Sequence, residues 1–171
     1  MKTALRALLW FLVVLWLGGV LFFPIVAASA FGSLPDTHAA GTVVAHCLRV
    51  LHYEGLFSGA AIIVLLLAAQ SIKAFPRSVA APVVIVLIML GLTAWSQFSI
   101  IPRMETHRLA AGGAIDAVPP ANPDRSAFNQ LHRLSEKAEE AVLLGGLILI
   151  TLLAANFPRT PAPPSRQTPP S

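Results

Sequence analysis

Five histidines, eight carboxylates and a few arginines are the side chains of this 171-residue chain that could carry chemistry. All the acids and histidines fall at one end of four apolar segments, whereas the other end carries only Lys2, Arg6, Lys73, Arg77, Arg159 and Arg166. Two chemistries suit such a set. His46, Glu105 and His132, with His52 or His107 beside them, offer the nitrogen and oxygen ligands that hold a divalent transition metal. In the other, Arg49 and Arg103 form partly buried ion pairs with Glu54, Glu136 or Glu139, and the histidines hydrogen-bond helix ends together. Arg49 beside the metal set would repel a cation, so the ion-paired cap is the reading adopted, structural or docking a partner. Metal handling or small-solute transport is the alternative, and no cofactor is expected. A third reading, an enzyme acting on a lipid or quinone headgroup with a histidine base and a glutamate acid, rests on proximity alone. No glycine-rich phosphate loop, nucleophile elbow or catalytic triad pattern is present, so no enzyme is expected. The lone Cys47 excludes an intramolecular disulfide and cannot complete a thiolate cage.

The elements that must position these groups follow from composition. The chain is 56% hydrophobic and 12% charged, with mean hydropathy +0.72, too apolar for an ordinary soluble domain. Apolar stretches run over about 5–31, 56–69, 79–101 and 141–157, each near the ~20 residues that cross ~30 Å of hydrocarbon. The expected fold is all-α, an integral membrane four-helix bundle over 5–157, with helices two to four projecting beyond the bilayer on the outer side. The proline-rich 158–171 is expected to be a disordered cytoplasmic tail. Net charge is +4, but the basic residues are spread over both flanks, so no nucleic-acid partner is expected. Each flank holds six Lys and Arg. Clustering beside the spans therefore decides orientation, and the acid-free end, with both termini, is expected to be cytoplasmic. Lys2, Arg6 and Ala28-Ser29-Ala30 imitate a secretory signal, but the apolar run 7–25 exceeds a signal core, so a retained helix is expected.

Local signals set the ends of the helices. Gly18-Gly19 allow close approach of a neighbour and Pro24 kinks the first helix. Asp36 or Thr37 caps the second, Ser78 the third, and Asn122-Pro123-Asp124 starts the fourth. Pro102 bends or ends helix three. Nineteen residues of helix cover about 28 Å, so counting from Lys73, Arg77 and Arg159 places Glu54, Ser96 or Gln97, and Glu140 at one level. Eight residues further lie His46, Glu105 and His132. On helix two, His46, Arg49, His52 and Tyr53 share an arc, with Cys47 and Glu54 on another stripe. On helix four, Phe128, His132, Glu136, Glu139, Leu143 and Gly146 share the face expected inward, while Arg133, Lys137 and Glu140 are expected in solvent. Between the Glu54 and Lys73 levels only Ser58, Gln70, Ser71, Thr93 and Thr151 are polar, a poor lining for an ion.

The strings Leu34-Pro35, Leu51-His52-Tyr53-Glu54-Gly55, Ile101-Pro102-Arg103-Met104-Glu105 and Leu131-His132-Arg133-Leu134-Ser135-Glu136 resemble the transmembrane protein 205-like family. Its bacterial members carry a domain of unknown function formerly numbered 4149. The likeness covers roughly 5–157 and implies a four-helix protein of a bacterial inner membrane with no established reaction. Its partners would be the lipid bilayer and a membrane or periplasmic protein. Trp10, Trp16, Gly18, Gly19, Phe22 and Pro24 are also similar to the first helix of copper-resistance D-type and haem-containing protoporphyrinogen oxidase membrane proteins. Those families carry a histidine in that helix. This chain has none, so the likeness implies no haem ligand here and leaves a surface copper role open. Trp10, Trp16 and Trp95 read as packing or interface anchors.

Overall fold

Helix boundaries fall where polar side chains replace missing backbone partners. A computed structural model describes residues 2–156, and every regular element among them is helical. Helix α1 spans Lys2–Ser33 and α2 spans Thr37–Ser71. Asp36 caps α2, its carboxylate accepting from the His38 and Ala39 N–H groups at 3.0 and 3.2 Å. Helix α3, Ala80–Trp95, begins after Val79 rather than Ser78, and the Val79 N–H donates to Gln70 Oε1 at 3.1 Å. The turn between α2 and α3 is therefore closed by a side chain of α2. Pro102 does not end this helix. A π turn, Ser96–Ile100, precedes it, the Ile101 N–H bonding to the Ser96 carbonyl, and α4 continues over Ile101–Ala110. Proline lacks an N–H and its ring crowds the carbonyl four residues earlier. A widened turn is one way to accommodate that. A 3-10 turn, Ile115–Ala117, leads to α5, Pro123–Ala154, where Asn122 Oδ1 accepts from the Asp124 and Arg125 N–H groups. The stretch 158–171, expected to be a disordered tail, lies outside the described residues.

Three of these rods are long and apolar enough to cross a bilayer: Lys2–Ser33, Thr37–Ser71 and Ala80–Ala110. They mark the chain as a membrane protein. The sequence suggests four spans, but α5 is not among the three. Its apolar part starts only at Ala141, so a span-length stretch ending at Ala154 takes in Lys137, Glu139 and Glu140.

Helix α1 packs on α2, α2 on α3, α3 and α4 on α5, and α1 touches α5. The core between them is built from Leu9, Val13, Trp16, Ile62, Leu66, Val86, Met89, Val142, Leu149 and Leu153. Two glycines allow the closest approaches. A Cβ on Gly55 would lie 2.3 Å from Trp16 Nε1, and one on Gly146 would lie 2.0 Å from Leu17 Cδ2. Small residues at such crossings let helix backbones approach without a solvent-driven hydrophobic force. The other faces expose Phe11, Leu21, Phe57, Leu67, Leu87 and Leu144, an apolar coat suited to lipid.

Candidate functional site

Three long helices contribute one polar side chain each to a single buried cluster. His52 of α2 is 1% exposed. Its Nδ1 lies 3.0 Å from Gln97 Oε1 on the π turn, and its Nε2 lies 2.6 Å from Glu139 Oε1 on α5. Both ring nitrogens of His52 are thus hydrogen-bonded, one to an amide and one to a carboxyl group, and neither is left bare in the apolar surroundings.

Two further contacts lie near it in sequence. Ser96 and Ser135, both buried, bring their hydroxyls to 3.3 Å and tie the start of the π turn to α5. The buried Ser58 hydroxyl donates to Glu54 Oε1 at 2.5 Å. Glu54 and His52 lie two residues apart, so they leave α2 in nearly opposite directions. Glu54 faces α1, where a Cβ on Gly19 would lie 4.0 Å from Glu54 Oε2.

Beyond this cluster the chain is cross-braced by ion pairs. The Arg108 guanidinium donates to both Glu105 oxygens, at 2.6 and 2.7 Å. His107 Nδ1 lies 2.9 Å from Asp124 Oδ1, and Arg125 reaches Asp116 at 3.6 Å. His132 meets Glu136 at 3.4 Å and Lys137 meets Glu140 at 3.7 Å, both pairs exposed on α5. A shallow cleft of about 270 Å³ between α4 and α5 is lined by Arg103, His107, Gln130, Leu131 and Leu134.

The predicted site residues are distributed differently from expectation. Glu54, Glu136 and Glu139 do not pair with Arg49 or Arg103; their partners are Ser58, His132 and His52. Arg49 and Arg103 are exposed and make no ion pair among the described residues. His46 is exposed, Glu105 is held by Arg108, and His132 is paired along its own helix. Among the described residues no three His, Cys, Asp or Glu side chains group as a metal-binding set. On α5 the face expected inward is rotated. Leu131, Ser135, Ala138 and Val142 are buried, whereas His132 and Glu136 are more than half exposed. Counting along the helices anticipated Gln97 but not Ser135. The signal for Ser135 is its place four residues after Leu131, three before Ala138 and seven before Val142, a helical seam of small and apolar groups.

Comparison with known proteins gives one match. A family model described as a domain of unknown function (DUF4149) matches residues 11–112, from within α1 to the turn after α4. No curated protein and no solved structure matches the chain.

Proposed function

This chain belongs to the domain-of-unknown-function family DUF4149, and we propose that it is a non-catalytic protein of a bacterial inner membrane. In this reading its ion-paired cap is a structural lid that presents a docking surface. The resemblance to the transmembrane protein 205-like family, which implies no established reaction, is consistent with this reading. The acid-bearing end faces outward and the basic end the cytoplasm, because Lys and Arg cluster beside the spans at the latter.

One observation carries the proposal: each of the chain's eight carboxylates already has a partner within the chain. Asp36 caps α2, Glu54 takes Ser58, Glu105 takes Arg108 and Asp116 takes Arg125. Asp124, Glu136 and Glu139 take histidines, and Glu140 takes Lys137. A metal at His46, Glu105 and His132 would have to break the Glu105–Arg108 fork and the His132–Glu136 pair. Arg49, Arg103 and Arg133 are exposed and make no ion pair among the described residues, and these cations suit an acidic partner surface.

Elemental analysis of the detergent-purified protein, incubated with zinc or copper and dialysed, tests the reading. Metal far below one ion per chain is expected. A stoichiometric metal that disappears in the His46→Ala/His132→Ala variant would overturn it.

A further inference from the structure

At the opposite, acid-free end, the start of α1 and the turn after α2 enclose a groove of about 600 Å³ lined by Lys2, Arg6, Gln70, Lys73, Phe75 and Pro76. We propose that this groove binds the phosphate of an anionic lipid headgroup.

The cations are brought together by the fold. Lys2 Nζ donates to the Lys73 carbonyl at 3.2 Å. The Arg6 guanidinium donates to the Ala74 carbonyl and lies 5.4 Å above the Phe75 ring. Lys73 itself adopts φ 50°, the left-handed conformation that closes a helix end. Lys2 thus serves a carbonyl of the turn after α2, but a neutral carbonyl satisfies a donor without cancelling the ammonium's charge. An ammonium has three donors. No Asp or Glu precedes Asp36, and none lies between Glu54 and Glu105. Lys2 and Lys73 make no ion pair among the described residues.

A phosphate supplies the missing charge and several acceptor oxygens, and Gln70 adds a polar wall. The ligand chemistry is that of any phosphate-bearing anion, but the surroundings favour a lipid. Leu67, more than half exposed, lies less than one turn from Gln70 on nearly the same face of α2 and offers a path for an acyl chain. Basic pockets between membrane helices near the headgroup level hold anionic lipids by this combination.

Native mass spectrometry of the full chain in detergent, titrated with phosphatidylglycerol or phosphatidylcholine, tests the proposal. Retention of phosphatidylglycerol over phosphatidylcholine is expected. The Lys2→Gln/Lys73→Gln variant should weaken it roughly thirtyfold, from two charges lost at a membrane surface. Lys73→Gln alone, on an exposed turn, should show a smaller loss if the double variant does not fold. Arg77→Gln, on the same turn but outside the groove, should leave retention unchanged. Equal retention of the two lipids, or an Arg77→Gln effect as large as that of the double variant, would overturn the site. Displacement of phosphatidylglycerol by millimolar inorganic phosphate would overturn the lipid as its occupant.

Discussion

Removing the His52 imidazole probes the buried cluster most directly, because that ring bridges helices with little other contact. Helices α2 and α5 share no extensive packing of their own; the His52–Glu139 contact crosses between them, with Gln97 of the π turn on its flank. His52→Leu strands Gln97 Oε1 and the Glu139 carboxyl together. On the scale of soluble proteins, losing one neutral and one charge-assisted bond costs about 3 kcal/mol. Hydrogen bonds between membrane helices average about 0.6 kcal/mol and reach about 1.7, so about 2 kcal/mol is the prediction here. Glu139→Leu strands only the Nε2 side and should cost about 1.5 kcal/mol by the same scale. Once His52 is gone, losing the Glu139 carboxyl removes no further bond to it, so the double variant should also cost about 2 kcal/mol. The singles sum to about 3.5 kcal/mol against about 2 for the double, a coupling of about 1.5 kcal/mol, within the range found between membrane helices. Unfolding in detergent by increasing SDS, followed by far-ultraviolet circular dichroism, measures all four proteins. Additivity within about 0.5 kcal/mol, as for independent sites, would show that the two side chains meet without energetic connection and refute the cluster as a helix-bridging contact.

Three other outcomes follow from the same packing and charge. Gly55→Ala places a methyl against the Trp16 indole, which cannot swing aside, and should destabilise by about 1–3 kcal/mol; Gly18→Ala, with nothing within 4 Å, should change thermal stability by less than about 0.5 kcal/mol. Arg108→Ala removes a bidentate pair whose Glu105 partner is 49% exposed; solvent screening keeps the loss below about 1 kcal/mol, and a larger loss in denaturant titration would give the lid a greater structural role than its exposure allows. Alkaline phosphatase fused after Gly112 should be active, and fused after Ser78 inactive; the reverse pattern would place the basic end outside.

Much of the height of each polar group was legible and little of its azimuth, for a physical reason. Bilayer thickness fixes how far apart an interfacial cation and an interfacial acid sit along a helix, so counting from Lys73, Arg77 and Arg159 placed Glu54, Gln97 and Glu140 together. The observed cluster, His52, Gln97 and Glu139, departs from that by two residues, none and one. One or two residues barely change the height but rotate a side chain by 100° or 200°, so the same count that found the level chose the wrong face of α2 and α5. Facing direction is decided by which neighbour fits. On α5 the turn from His132 to Glu140 is rich in polar residues, and the face that Phe128, Leu143 and Gly146 suggest is rotated from the one that packs there. The seam is instead set where Ser135 meets Ser96 and where Gly146 admits Leu17. These are contacts between segments far apart in sequence, and the periodicity of one segment does not name its partner in the other. The caps at Asp36 and Asn122 were legible because their partners lie two and three residues away. At Pro102, expected to bend or end helix three, the choice between the two was not legible for the opposite reason: a proline forbids a regular turn locally, yet continuous packing of α3 and α4 along α5 makes a π turn an alternative to ending the helix. The same division places the two proposed working surfaces at opposite ends of the molecule. Lipid excludes unpartnered charge from the middle, and His52 and Glu139, one fully and one largely buried, meet that demand by hydrogen-bonding to one another.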